Sequence, residues 1–227
     1  MADFNKRKII VTEDGSHSIL VDDINEAYHS DRGSWQESVY TYVTEGMLTY
    51  LRKNPASNHI KIFEMGFGTG LNAFVSLLSK PENVSIHYCG IEAYPVGQEE
   101  YSKLNYAALA QKESQPSFLD LHICEWNSIQ KLSDSFWLEK LEGTIQETPI
   151  GSGYQVVYFD AFSPRTQPEL WQPAIFQKVY DSMDYGGVLV SYSAAGIFKR
   201  SMQAAGFWME EIRGARGKRE MVRGIKM

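Results

Sequence analysis

Short apolar runs alternate with segments of helical spacing along most of the chain. Near the N-terminus, Lys8-Ile-Ile-Val-Thr12 and His17-Ser-Ile-Leu-Val21 flank Glu13-Asp-Gly-Ser16, and an Asp-Gly pair between two alternating runs predicts a β-hairpin. Residues 25–36 read as loop. Over residues 36–52, Val39, Val43, Met47 and Leu51 recur every fourth position, which predicts a helix with one buried stripe. Further on, apolar runs predict strands at 60–63, 85–91, 118–124, 154–159 and 187–192. Helices are expected between them near 71–78, 97–109, 136–141, 174–183 and 197–204. Two last runs, 207–212 and 220–225, are joined by Arg213-Gly-Ala-Arg-Gly217 and read as an antiparallel hairpin. Residues 142–153, with Pro149, Gly151 and Gly153, read as a surface loop.

Strands that alternate with helices imply an α/β fold of the Rossmann-like kind, a parallel sheet with helices on both faces. Ligands then bind at the carboxyl ends of the strands, where the strand order switches. A length of 227 residues suits one such domain, with 1–55 as an N-terminal hairpin and helix extension and 56–227 as the core. With 43% hydrophobic residues the chain can bury a substantial core, and it has no apolar run long enough for a membrane span. The N-terminus is polar and lacks an apolar targeting segment. Cys89 and Cys124 sit in apolar runs, which points to free buried thiols and a cytoplasmic location. His17, His29, His59, His87 and His122 have no metal-ligand spacing, so no metal site is expected. The net charge of −6 argues against broad nonspecific binding of nucleic acid. Bases nevertheless concentrate from Lys199 onward, which fits either a local phosphate site or a solvated charged hairpin.

The most specific chemistry lies in Phe63-Glu-Met-Gly-Phe-Gly-Thr-Gly-Leu-Asn72, between a predicted strand and a predicted helix. Glycines at 66, 68 and 70 allow a sharp turn and a close backbone approach to a ligand, next to the free N–H groups of a helix N-terminus. A dinucleotide fingerprint would need its third glycine at position 71, which is Leu71. Glu64 and the G-x-G-x-G spacing look instead like the first motif of S-adenosylmethionine (SAM) methyltransferases, and an ordinary glycine-rich turn remains the plain alternative. Acids stand at four expected strand ends: Glu64, Glu92, Glu125 and Asp160. Glu92 follows Gly70 by about twenty positions, the distance at which an acid accepts the ribose hydroxyls of an adenosine cofactor. Glu125-Trp126 offers an acceptor and an aromatic ring for adenine. Asp160-Ala-Phe-Ser-Pro164 follows the most apolar strand. There Asp160 could take or hold the proton of an amine acceptor, Phe162 could stack on a base, and Pro164 would stiffen the loop. Equally, Asp160 could cap the next helix and Phe162 could be core.

The glycine loop, Tyr158-Phe-Asp-Ala-Phe-Ser-Pro164 with Trp171, Ser191-Tyr-Ser-Ala-Ala-Gly196, Ala205-Gly-Phe207 and Gly217-Lys-Arg-Glu-Met221 occur here in one order. Together they resemble the methyltransferase domain of the MnmC family, whose stand-alone members are called MnmD, and the resemblance runs from about Ile9 to the C-terminus. It implies a Rossmann-like SAM methyltransferase sheet closed by an antiparallel hairpin. The activity it implies is SAM-dependent N-methylation of 5-aminomethyl(-2-thio)uridine at the wobble position of the tRNA anticodon stem-loop. Carried over by position, Glu64, Gly66, Phe67, Gly68, Thr69, Gly70, Asn72, Glu92, Glu125 and Trp126 would contact SAM. Asp160 would be the catalytic carboxylate, with Phe162, Pro164, Lys218 and Arg219 near the substrate. Glu125 stands where the family usually has Asp, and no basic residue follows Glu92 in Ala93-Tyr94-Pro95. The length leaves no room for the flavin domain of bifunctional members, so only the final N-methylation is expected. Two rivals stay open: a small-molecule amine methyltransferase or aminopropyltransferase-like enzyme, since the fold hosts many acceptors, and an RNA-binding module without catalysis.

Overall fold

The computed structural model describes residues 4, 6–110, 116–215 and 220–227. The chain opens with an antiparallel sheet of β1 (Arg7–Val11), β2 (His17–Val21) and the short β3 (Glu26–Ala27). The Asp14-Gly15 turn joins β1 to β2 as expected. Asp14 Oδ1 takes the Ser16 N–H at 3.0 Å, and Gly15 has φ 82°. The segment predicted as loop in fact carries β3 and the start of a helical rod. That rod comprises α1 (Ser34–Ser38), a π-helical stretch Val39–Met47 and α2 (Leu48–Lys53). Nine π-helical residues far exceed the usual single-turn bulge, and period-four apolar spacing cannot distinguish such a stretch from an α-helix.

Beyond the rod come β4 (His59–Met65), α3 (Leu71–Ser79), β5 (Ser85–Glu92), α4 (Gln98–Tyr101), α5 (Tyr106–Leu109), α6 (Phe118–Ile123), β6 (Ile129–Ser133) and β7 (Phe136–Glu142). The chain continues through β8 (Tyr154–Phe159), α7 (Pro173–Ser182), β9 (Met183–Val190), α8 (Gly196–Ala205), β10 (Phe207–Arg213) and β11 (Glu220–Lys226). The large sheet has the order β10-β11-β9-β8-β4-β5-β7-β6. Its middle is parallel from β9 to β7, and β6, β10 and β11 are antiparallel.

Two predicted elements exchange type. Residues 118–124 were expected as a strand and form α6. Ser117 and Asp120 cap it reciprocally: the Ser117 N–H donates to Asp120 Oδ2 at 2.7 Å, and the Asp120 N–H donates to Ser117 Oγ at 3.3 Å. Residues 136–141 were expected as a helix and form β7, whose side chains alternate between buried and half-buried. β6, an unpredicted strand, pairs with β7 in a hairpin. Glu125 therefore ends no strand. The acid at the end of the third parallel strand is Glu142, in register with Glu92.

Alternation along β8 divides the core. Val156 and Tyr158 face Tyr42, Met47, Phe74 and Tyr88 under the rod and α3, whereas Val157 and Phe159 face Trp171, Phe176 and Phe198 under α7 and α8. Each such side chain contributes about 1.5–3 kcal/mol by leaving water, so both faces of β8 are anchored. Residues 142–153, expected as a surface loop, are mostly exposed loop, and within it Ile145 and Ile150 turn inward and are buried. Lys178 Nζ holds that turn through the carbonyls of Ile145 at 2.6 Å and Thr148 at 2.9 Å. Among the described residues no helix is long and apolar enough to cross a membrane.

Candidate functional site

β4 lies between β5 on one side and β8 on the other, so the loops leaving these strands part at the carboxyl edge of the sheet. A cavity of about 790 Å³ opens there. Its floor is the glycine loop, where Gly66, Gly68 and Gly70 have φ of 88°, 51° and 72°. At Gly66 the glycine is required twice over. The positive φ disfavours a side chain, and a Cβ would lie 2.7 Å from the Asp160 carbonyl oxygen. The Gly68 N–H donates to Glu92 Oε2 at 2.9 Å, and the Tyr94 N–H donates to Glu92 Oε1 at 2.8 Å. Burial pushes the Glu92 carboxyl up, while these backbone donors pull it down.

Asp160 follows β8 and lines the cavity. Its N–H donates to the Met65 carbonyl at 2.9 Å, which ties the loop to the end of β4. Its Oδ1 accepts from the Tyr42 hydroxyl at 2.5 Å, and its Oδ2 accepts from Asn72 Nδ2 at 2.7 Å. The same Nδ2 donates to Glu64 Oε1 at 2.8 Å. Glu64 is fully buried, and its Oε2 has no hydrogen-bond partner. Burial, and then the charge of Asp160, push the Glu64 carboxyl well above the usual range.

The opposite wall comes from the N-terminal extension. Glu26 of β3 accepts from the Ser163 N–H at 2.7 Å, from Ser163 Oγ at 2.8 Å and from the Thr166 hydroxyl, and so clamps the Asp160 loop. Tyr28 meets Phe162 edge to face at 5.0 Å. The Phe162 carbonyl accepts from Trp171 Nε1 at 2.8 Å, and the Ala161 carbonyl accepts from the Tyr192 hydroxyl at 3.0 Å. His29 Nε2 lies 2.7 Å from Thr69 Oγ1, and burial lowers its pKa to about 4, so the ring is neutral near pH 7.

Of the residues expected from the sequence, Gly66, Phe67, Gly68, Thr69, Glu92, Asp160 and Phe162 line the cavity. Glu64 and Asn72 are buried and outside the lining, and Asn72 Nδ2 donates to both Glu64 and Asp160. Gly70 is outside the lining, at the N-cap of α3. Glu125 is exposed and away from the cavity, because α6 replaces the strand that was to present it. Trp126 packs 6.1 Å from the Phe67 ring and 4.8 Å from Lys140 Nζ, outside the lining. Pro164 is also outside the lining, and Lys218 and Arg219 lie outside the described residues. Sequence reasoning missed Tyr28, His29, Tyr42, Tyr192 and the turn 143–147. A polar-aromatic segment, Tyr28-His29-Ser30-Asp31, was the one available signal for the first two.

The lining includes the acidic side chains of Glu26, Asp31, Glu37, Glu92, Glu147, Asp160 and Glu169, and no Lys or Arg among the described residues. Such a cavity favours cationic ligands. Among the described residues no cluster of His, Cys, Asp and Glu could hold a metal ion.

Comparison with known proteins agrees with this geometry. Residues 107–227 match the model of a family described as S-adenosyl-L-methionine-dependent methyltransferase. A relative is the tRNA 5-methylaminomethyl-2-thiouridine biosynthesis bifunctional protein MnmC of Pseudoalteromonas translucida, 26% identical over 90% of this chain and 34% of that protein. The protein of the same name from Idiomarina loihiensis is 27% identical over 91% of this chain and 36% of its own length. The chain thus spans about a third of the length of these relatives. Among solved structures, MnmC2 from Aquifex aeolicus superposes with a TM-score of 0.75 at 25% identity, covering 96% of this chain and 70% of that one. Spermidine synthase from Thermotoga maritima shares the fold, with a TM-score of 0.53 at 13% identity over 97% of this chain and 68% of that one.

Proposed function

We propose, from the premise that this chain belongs to the S-adenosyl-L-methionine-dependent methyltransferase family, that it N-methylates the aminomethyl group of 5-aminomethyl-2-thiouridine at the wobble position of tRNA. The relatives named for this modification support the substrate. The observation that carries the reading is Asp160, a carboxylate with a donor on each oxygen, facing an acid-lined cavity beside the glycine loop.

The residues present fit the donor. The backbone of Gly66, Phe67, Gly68 and Thr69 would cradle it, Glu92 would accept its ribose hydroxyls, and the carboxylate lining suits its positive charge. When bound, S-adenosylmethionine supplies a methyl group activated by a sulfonium. An alkyl amine titrates near the lysine value of about 10, so the acceptor arrives as an ammonium and is drawn to the same acids. Asp160 takes its proton and frees the nitrogen lone pair. The freed nitrogen would accept the methyl group, and the carbon–sulfur electron pair would stay on sulfur in the departing S-adenosylhomocysteine. Tyr28 and Phe162 offer ring surfaces for the base. Lys218 and Arg219 would meet tRNA phosphates. Residues 1–55 would close a site built on 56–227, and the reaction belongs in the cytoplasm, with its tRNA substrate.

The absence of Lys and Arg from the lining, among the described residues, also suits a second reading, methylation of a small free amine. One experiment separates the two. Purified protein is incubated with SAM and either tRNA carrying 5-aminomethyl-2-thiouridine or free amines, and nucleosides and amines are analysed by mass spectrometry. A methylated wobble nucleoside is expected. Transfer to free amines alone would establish the second reading.

A further inference from the structure

We infer that Tyr42 is a positioning residue for Asp160, held by the π-helical stretch of the rod and matched on the other carboxylate oxygen by the Ser38–Asn72 pair. The inference rests on the proposed methyl transfer and adds a part to it.

Tyr42 is 1% exposed, and its ring packs against Tyr158 at 5.1 Å between centroids. Packing alone asks only for an aromatic ring there. The hydroxyl instead reaches across the sheet edge to Asp160 Oδ1 at 2.5 Å, over 118 positions of sequence. It does so from inside Val39–Met47, whose π-helical hydrogen bonding is rare and occurs frequently at functional sites. The turn immediately before this stretch contributes Ser38, whose hydroxyl donates to Asn72 Oδ1 at 2.5 Å. The carboxyl oxygens of Asp160 and Glu64 accept from Nδ2 and so orient the Asn72 amide, which leaves Oδ1 toward Ser38, whose hydroxyl then holds it there. Both arms therefore leave one segment of the rod, one directly and one through α3.

An aspartate side chain on a loop has two rotatable torsions. Here Tyr42 holds one oxygen and Asn72 the other, which leaves the remaining lone pairs directed from a fixed plane. A proton acceptor fixed in this way needs no reorientation when the ammonium arrives. The ionisable groups around this arrangement are Glu64 from β4, Glu37 from α1, Glu26 from β3, and Tyr192 beyond β9.

The test is a double-mutant cycle of Tyr42→Phe and Asp160→Asn on the full chain, with kcat measured for methyl transfer to aminomethyl tRNA. Binding of SAM and tRNA is measured by calorimetry, and folding by thermal melting. Tyr42→Phe removes one hydroxyl and keeps the ring. We expect kcat to fall about 10–100-fold, the range for a hydrogen bond to a charged group. SAM and tRNA affinities should stay within about twofold, because Tyr42 does not line the cavity. In the Asp160→Asn background the same substitution should change kcat by less than about threefold, since residues acting as one unit are non-additive. A merely structural role predicts equal losses in both backgrounds, in step with the melting temperature, and that result overturns the inference alone. Absence of transfer by the wild-type protein overturns the proposed function, and the inference with it.

Discussion

Replacing Asp160 by Asn gives the sharpest separation between chemistry and folding. The aspartate accepts from Tyr42 on one oxygen and from Asn72 on the other. An amide has one oxygen to offer. With that oxygen toward Asn72, its NH2 meets the Tyr42 oxygen, which can accept while its own proton loses its partner. The reverse orientation opposes two NH2 groups, so the first is favoured. One unpaired buried O–H costs about 1–3 kcal/mol. Loss of the Asp160 charge relieves Glu64, whose carboxyl that charge helps to push up, and offsets part of the cost. The net destabilisation expected is about 0–2 kcal/mol, or a fall in melting temperature of at most about 8 °C for a chain of this size. The rate should respond far more. Loss of a positioned acid–base group slows transfer about 10²–10⁴-fold, equivalent to roughly 3–5 kcal/mol of barrier. Single-turnover transfer of labelled methyl to aminomethyl tRNA, with SAM affinity and melting measured on the same sample, reads both quantities. Turnover near the wild-type value in a folded, SAM-binding variant would remove Asp160 from the mechanism.

Gly66→Ala should slow transfer about 100-fold, because its Cβ would meet backbone of the Asp160 loop, and small displacements of reacting groups carry losses of that size. Gly68→Ala, whose Cβ would crowd the Tyr28 ring at 2.8 Å but no backbone closer than 3.9 Å, should lose less; the reverse ranking in kcat would show that contact between the loops is not the constraint. Glu26→Gln leaves one side-chain acceptor for three donors, so transfer should fall roughly tenfold with SAM affinity unchanged; an unaltered rate would dismiss the clamp. His29 and His122 both have pKa lowered to about 4, chiefly by burial. Their neutral forms stabilise the fold fully above the unfolded value of about 6.5, and that stability is lost as pH falls from there toward 4, by up to about 1.4 kcal/mol per pH unit for each. Urea midpoints should therefore drop between pH 7 and pH 5, and the drop should shrink in His29→Gln. A pH-independent midpoint would contradict it.

The elements that sequence reasoning placed correctly have unambiguous physical signals. Asp14-Gly15 between alternating runs makes a hairpin, and Gly66, Gly68 and Gly70 all occupy positive φ. The apolar runs of β4, β5 and β8 are bounded by turns and buried on both faces. The failures fall where two forces compete. Over six residues an apolar run does not distinguish strand from helix. The Ser117–Asp120 capping box decides for α6, and pairing with β5 on one side and β6 on the other decides for β7. Those two exchanges move Glu125 off the sheet edge and leave it outside the cavity lining. Tyr42 and Asn72 were invisible as a pair. One sits among apolar residues and the other looks like part of a loop motif, and only the tertiary fold brings both to Asp160.

The hairpin wall makes ligand occupancy legible far from the chemistry. Tyr28 and His29 complete the cavity, and the first strand of the extension is pinned to the core by Arg7. Its side chain is 3% exposed and donates to the Pro95 carbonyl at 3.0 Å and to Glu100 at 3.2 Å. A ligand that needs this wall binds only the docked hairpin. At one hundred times its dissociation constant it adds about 2.7 kcal/mol to that state. Opening of β1 and β2 releases the ligand and is opposed by this amount, as is global unfolding, whereas local openings that leave the wall docked do not register it. Amide protection in the first strands therefore serves as a gauge of whether the site is filled.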